Sequence, residues 1–478
     1  MIRTLVLLLV LAAGGGWLIA GAGDEPRRES VTASGVPLAE VHPPGDGKRP
    51  GVVVAHGFSG SAKLMEPFGD TLAARGYVVV LLDFTGHGAN REPMADQVAG
   101  TDESVRMLQD DLGVALAHLR SLPDVDASRV ALVGHSMGAG AVTRYAAAHP
   151  DVTATVAISL PDAFVASAER PARLLTIAGA LEFPDFREVA TRVAAERDDR
   201  AVRIVPWVEH ISVLYAPETH RETVAWLDQA FGGPRNDQAI PFPGRRLFGA
   251  GLLVLAFLIG LYPLALLIGL RPQASPAKTI PPVRIAVVAA VAAGVGAVVA
   301  RLLPTAHFPL AVAGYVAAYA AVTGVLLLLY ARRFSPYERR SSPRRALLAV
   351  PYAIVAIALP LHGGVTHAVP VGVRWWLLPV VWAAFALLAY ASERVAGGRP
   401  LPLLIITAAF VVVLAGAAVS GLTHGFVLLA LFPLIGLMLW QALWSAFLNR
   451  FGTAPWMIAV IGAVVVAWPL VTALPLVG

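Results

Sequence analysis

Cysteine is absent from this chain of 478 residues. No disulfide braces the fold, and no thiol is available for catalysis or metal binding. Carboxylates are nearly missing from the second half: residues 246–478 hold 15 Lys and Arg but only two acids, Glu338 and Glu393. Residues 1–245 hold 22 Lys and Arg against 30 Asp and Glu. The net charge of +5 thus combines a half at −8 with a half at +13. A soluble domain needs surface charge of both signs, so the second half does not read as one. Its arginines sit in short loops between apolar runs, which excludes a basic nucleic-acid-binding surface; no nucleic-acid partner is expected. Neither half shows a repeat of fixed period or a low-complexity tract.

What fills residues 247–478 is a series of eight apolar segments: 247–270, 283–303, 308–331, 346–361, 375–391, 401–420, 425–447 and 455–476. Most approach the roughly 20 residues needed to cross a bilayer, and 346–361 is the shortest. The expected architecture is an all-α multi-helix transmembrane domain, with the lipid bilayer as its partner. Arginine placement orients it. The loop 332–345 carries Arg332, Arg333, Arg339, Arg340, Arg344 and Arg345 and is expected on the cytoplasmic side. Alternating from it puts Arg271, Lys278, Arg284, Arg394, Arg399 and Arg450 inside as well. Arg374 alone lies in an outward loop. Arg301 and the pair Arg245-Arg246 depart from the pattern.

The N-terminus, Met1-Ile2-Arg3 followed by an apolar run, reads over residues 1–22 as a signal anchor or a signal peptide. In the second case Ala20-Gly21-Ala22 would be the cleavage site. Either reading starts with Arg3 inside and places the following domain outside.

That domain is expected over residues 30–232, followed by a Gly/Pro-rich linker at 233–246. Short apolar runs read as strands at Val36–Val41 (an edge), Gly51–Ala55, Tyr77–Leu82, Val130–Val133, Thr155–Ile158, Leu174–Ala178 and Val202–Val205. Helical patterns separate them at Leu64–Arg75, Glu103–Ser121, Gly140–His149, Phe186–Glu196 and Thr219–Phe231. Alternating strands and helices imply right-handed crossovers, hence a doubly wound, mainly parallel sheet covered on both faces.

Gly134-His135-Ser136-Met137-Gly138 follows the strand Val130–Val133 directly. This G-x-S-x-G pattern delivers a serine onto a tight strand-to-helix turn, where flanking side chains would not fit. Attack on an ester or amide carbonyl needs a nucleophile, a base, a group that orients the base and donors for the oxyanion. Ser136 is the candidate nucleophile. His210, after the strand Val202–Val205 and before the last helix, is the candidate base; His149 and His220 belong to helices. Glu182, after Leu174–Ala178, is the candidate orienting acid, with Asp185 as the alternative. The N–H groups of Phe58 and Met137 are candidates for the oxyanion hole, Phe58 lying in His56-Gly57-Phe58-Ser59-Gly60 after the first parallel strand. His56 reads as a loop-bonding residue. No cofactor is required.

The pattern resembles the α/β-hydrolase superfamily, in the chain order Ser…Asp/Glu…His. Asp83-Phe84-Thr85-Gly86-His87-Gly88 also resembles the D-x-x-G-H-G loop of many members. The branches most similar are the dienelactone-hydrolase-like and serine-aminopeptidase-like enzymes. The resemblance covers less than half the chain and implies hydrolysis through an acyl-serine intermediate. A glutamate stands where aspartate is commoner. Only residues 160–173 separate Ser159 from Leu174, so no cap domain is expected. An open site suits an ester or lipid-like substrate.

The expected function is a membrane-anchored serine hydrolase of the carboxylesterase or lipase type. An acyltransferase using the same residues, or a transporter or channel with a regulatory hydrolase-like domain, are the competing readings. His307, His362, His367 and His424 fall near outward loops without metal-ligand spacing and read as interfacial. No metal site is expected from them.

Overall fold

The computed structural model describes residues 2–21, 26–97, 100–233, 239–272, 280–334 and 347–478. Ala22, Lys278, Glu338, Arg339, Arg340, Arg344 and Arg345 lie outside the described residues. The chain divides into two compact units. The first comprises Ala13–Gly251 together with Leu361–Val369 and Gly478; the second comprises Met1–Ala12, Leu252–Pro360 and Pro370–Val477.

The first unit is built on eight strands: β1 (Arg27–Ala33), β2 (Val36–His42), β3 (Arg49–Ala55), β4 (Val78–Leu82), β5 (Val125–His135), β6 (Ala154–Ile158), β7 (Leu174–Gly179) and β8 (Ala201–Val205). They form one sheet in the order β1-β2-β4-β3-β5-β6-β7-β8. β1 and β2 are antiparallel to their neighbours, and all pairs from β4 to β8 are parallel. This is the expected doubly wound sheet. The strand expected at the edge, β2, is instead covered by β1. A two-residue turn at Ser34-Gly35, both at positive φ, joins them, the geometry a tight hairpin requires.

Strand alternation sends neighbouring side chains to opposite faces. Val52, Val54, Val79, Leu81, Ala131 and Val133 share one core with Phe68 and Leu72 of α2 (Glu66–Ala74) and Leu227 and Phe231 of α6 (Pro217–Phe231). Val53, Ala55, Val80, Leu82, Val130 and Leu132 join the other core. There they meet Leu108, Leu112 and Leu116 of α3 (Asp102–Ser121) and Val142 of α4 (Met137–Ala148). α5 (Pro184–Ala195) contributes Val189 and Val193 beside Ala139 of α4. Each fully buried branched aliphatic side chain contributes about 2 kcal/mol.

A charged cluster ties the ends of this unit to α2. Arg246 pairs with Glu66 at 3.0 Å and Asp70 at 3.3 Å, and it donates to the Ile19 carbonyl at 3.1 Å. Arg28 and, at 3.5 Å, Arg245 also reach Asp70. Of the three arginines that break the loop-charge pattern, Arg245 and Arg246 are therefore held by acids of α2. Ser61 is bonded to Thr366 at 2.9 Å and accepts the His367 N–H at 3.0 Å.

Beyond α1 (Ile2–Ala20), the helices are α7 (Arg245–Leu267), α8 (Pro282–Leu302), α9 (Ala313–Phe334), α10 (Ala349–Gly364), α11 (Arg374–Ala396), α12 (Pro400–Val419), α13 (Val427–Arg450) and α14 (Pro455–Ala473). Among the described residues, eight helices have the length and apolarity to cross a membrane, counting Arg3–Ala20; Ala349–Gly364, with 16 residues, is shorter. The second unit packs through small residues. A Cβ on Gly296 would come within 2.4 Å of Thr323, and one on Gly324 within 2.8 Å of the Leu388 amide. Small residues at such positions let helices approach closely. Arg374 is fully buried and donates to the Val471 and Leu474 carbonyls, which the end of α14 leaves without intrahelical donors. Glu393 accepts from Ser445 and from Asn449 at 2.9 Å.

Candidate active site

Four loops at the carboxyl ends of β3, β5, β7 and β8 build the site. β5 ends at His135, Ser136 turns the chain at φ +53°, and α4 starts at Met137. A positive φ on a serine costs about 1–3 kcal/mol and is kept only where the surroundings enforce it. The flanking glycines are demanded by contact. A Cβ on Gly134 would lie 2.3 Å from the Gly138 carbonyl oxygen, and one on Gly138 2.5 Å from that of His56. The helix start is thereby pressed against the end of β3.

β7 and β8 bring the other two side chains together. The amides of Ala180 and Leu181 bond the carbonyls of Val205 (2.8 Å) and Val208 (3.0 Å), stitching the turn after β7 to the loop after β8. Glu182 and His210 are both buried. Ser136 Oγ lies 3.0 Å from His210 Nε2, and His210 Nδ1 lies 3.2 Å from Glu182 Oε2. The other carboxylate oxygen, Oε1, accepts the Gly179 N–H at 2.8 Å and the Ser159 hydroxyl at 2.6 Å. The structure thus brings Ser136, His210 and Glu182 into one hydrogen-bonded chain. Asp185 is exposed in the first turn of α5. Ser159 was not singled out from sequence. It follows β6 at φ +56°, and no motif marks it.

The loop after β3 packs on the elbow: a Cβ on Gly57 would meet Ser136 Cβ at 3.0 Å. His56 holds this loop. Its Nδ1–H donates to the Gly57 carbonyl at 2.8 Å, and its Nε2 accepts the Phe84 N–H at 3.1 Å. Burial lowers its pKa to about 4, so it stays neutral and both nitrogens serve the backbone. Met137, as the first residue of α4, has no intrahelical acceptor for its N–H. Phe58 follows Gly57 on the facing loop, its ring edge-on to His87. Asp83 orders the neighbouring loop by accepting the amides of Ala62 at 2.6 Å and Ala89 at 2.9 Å.

Between β6 and β7 the chain holds only residues 159–173, with one short helical turn, Ala163–Val165. No domain covers the site from this connection. Phe164, Leu181, Phe183, Trp207 and Ile211, on the loops after β6, β7 and β8, are exposed.

Residues 47–196 match the family described as serine aminopeptidase, S33. A thermostable monoacylglycerol lipase from Bacillus sp. (strain H-257) is 30% identical over 153 residues, 29% of this chain and 55% of the lipase. Cutinase est1 from Thermobifida alba is 28% identical over 139 residues, 28% of this chain and 44% of the cutinase. The chain spans about half the length of these curated relatives. A solved dienelactone hydrolase from Anabaena variabilis is 19% identical and covers 44% of this chain and 100% of its own, with a TM-score of 0.35. Sheet order and the strand–Ser136–helix turn give the first unit an α/β-hydrolase fold, and residues 47–196 within it are similar to the serine aminopeptidases of family S33.

Proposed function

We propose that the chain is a membrane-embedded serine hydrolase that cleaves carboxylic esters. Ser136 attacks the carbonyl as His210 takes its proton through Nε2, and Glu182 holds His210 in the tautomer with hydrogen on Nδ1. The N–H groups of Phe58 and Met137 receive the oxyanion. His210 then protonates the leaving alcohol, and water activated by the same imidazole releases the acid. The observation that carries this reading is the continuous chain from Ser136 Oγ through His210 to Glu182, with contacts of 3.0 and 3.2 Å.

The names of the relatives, a monoacylglycerol lipase and a cutinase, support an acyl ester as substrate. The uncapped site and the exposed Phe164, Leu181, Phe183, Trp207 and Ile211 support one that is bulky or lipid-like. We place the hydrolase on the outer side of the cytoplasmic membrane. The arginine-rich loops support this orientation.

Labelling of isolated membranes with a fluorophosphonate probe tests the reaction. Wild type is expected to label and Ser136→Ala to stay dark. A folded wild-type chain that does not label would refute the reading.

A further inference from the structure

The residue before the elbow serine, His135, is buried and takes no part in the relay described above. Its Nε2 lies 2.9 Å from the backbone carbonyl oxygen of His210. A carbonyl only accepts, so Nε2 carries the hydrogen and donates. Nδ1 is then a bare acceptor, and it has no hydrogen-bond partner. It faces Gly57, where any Cβ would approach it to 2.9 Å. The ring therefore touches the loops of the oxyanion hole and the base while its own residue precedes the nucleophile. The ring centroids of His135 and His210 are 4.9 Å apart.

We propose that His135 is a positioning residue: its Nε2–H fixes the backbone of His210 so that the imidazole of His210 meets Ser136 Oγ. This inference rests on the proposed roles of Ser136 and His210. Elsewhere on the base loop the Val208 carbonyl accepts the Leu181 amide at 3.0 Å, and on its exposed side Glu209 accepts the amides of Ile211 and Ser212 at 3.0 and 2.7 Å. His135 supplies a buried anchor at the residue that carries the base. The ring suits this task because burial holds its pKa well below the usual histidine value, with the neighbouring His210 adding to the effect. A neutral ring keeps one N–H for the carbonyl, whereas a protonated ring would put a second N–H where no acceptor waits.

Displacement of a base by a fraction of an ångström slows proton transfer without removing the substrate pocket. His135→Met keeps bulk and loses the donor; His135→Gln keeps a side-chain N–H. In the full-length protein in detergent, His135→Met is expected to react with the fluorophosphonate about 10–100-fold more slowly, with ester kcat reduced alike and KM unchanged. His135→Gln is expected to recover most of that rate at the same apparent Tm. Wild-type speed in His135→Met, or an equally slow His135→Gln at unchanged Tm, would overturn the proposal. A second measurement needs no variant to fold: in 15N-histidine-labelled wild type, His135 is expected to show a neutral ring protonated at Nε2 at pH 6. A charged ring or the Nδ1–H tautomer would overturn it. If Ser136→Ala still labels, the underlying reading fails; if only the His135 results disagree, the positioning role fails alone.

Discussion

Replacing Glu182 by glutamine is the sharpest perturbation of this site, because the structure fixes how the new side chain must sit. The Gly179 N–H, 2.8 Å from Oε1, can only donate. The amide oxygen of glutamine must therefore occupy the Oε1 position, which also satisfies Ser159. The NH2 group is left facing His210 Nδ1. That nitrogen must then accept, and the hydrogen moves to Nε2, the atom that has to take the proton of Ser136. The base is present but in the wrong tautomer. Loss of this kind is worth about 10³–10⁴-fold in kcat, or about 4–5.5 kcal/mol of transition-state stabilisation. The assay is hydrolysis of short-chain nitrophenyl esters by the purified full-length protein, with apparent Tm measured in parallel. Asp185→Asn is the control and is expected to stay within about threefold of wild type, since its side chain is exposed and outside the relay. Activity of Glu182→Gln within tenfold of wild type, with collapse in Asp185→Asn, would refute the assignment of the acid.

Ser159→Ala removes one of two donors to Oε1 and should lower kcat about 10-fold at unchanged KM, read from the same ester assay; no change would mean Gly179 alone holds the carboxylate. Gly138→Ala puts a Cβ 2.5–2.6 Å from two backbone oxygens, so the variant should fail to accumulate as a labelled, folded protein. Asp111 is buried beneath the Thr85 amide, and burial raises its pKa to about 6 despite that bond. Its folded-state pKa exceeds the unfolded 3.8, so its ionisation costs stability increasingly from about pH 4 to pH 6, up to about 3 kcal/mol. Asp111→Asn should then raise the apparent Tm at pH 7.5 and do little at pH 4; an equal shift at both would exclude this cause. A protease added to intact cells should digest the hydrolase unit, and its protection would place that unit in the cytoplasm.

The doubly wound sheet was legible because the parallel strands carry short, β-branched apolar runs, buried on both faces in all but β8, where Arg203 and Ile204 are exposed. β1 was not. Its sequence, Arg27 to Ala33, alternates weakly and leaves most side chains exposed, so it carries no apolar signature; the hairpin at Ser34-Gly35 was its only mark. β5 begins at Val125, earlier than expected, because Asp126 to Arg129 extend the strand as a polar, solvent-facing stretch. In the apolar half, hydropathy located the helices but stopped one of them, α11, short at residue 391. α11 continues through Ser392, Glu393 and Arg394 because the carboxylate finds Ser445 and Asn449 on α13. In the site, Ser136, His210 and Glu182 could be singled out by their places after particular strands. Ser159 and His135 reach the site through contacts between residues far apart in sequence, and neither motif nor periodicity encodes those.

The arginine cluster around Asp70 bears on how this chain can be taken apart. The Gly/Pro-rich stretch near residue 233 looks like the place to sever the sheet-bearing unit from the helices that follow. A cut there would discard Arg245 and Arg246 and leave Glu66 and the buried Asp70 without them, Asp70 keeping Arg28. Glu66 would keep only Lys63, and removing part of the charge that balances the buried Asp70 costs more than loss of a surface pair. The separable piece ends beyond Arg246, inside the first turn of α7. Any excised form of the α/β unit has to carry the Arg-Arg pair with it.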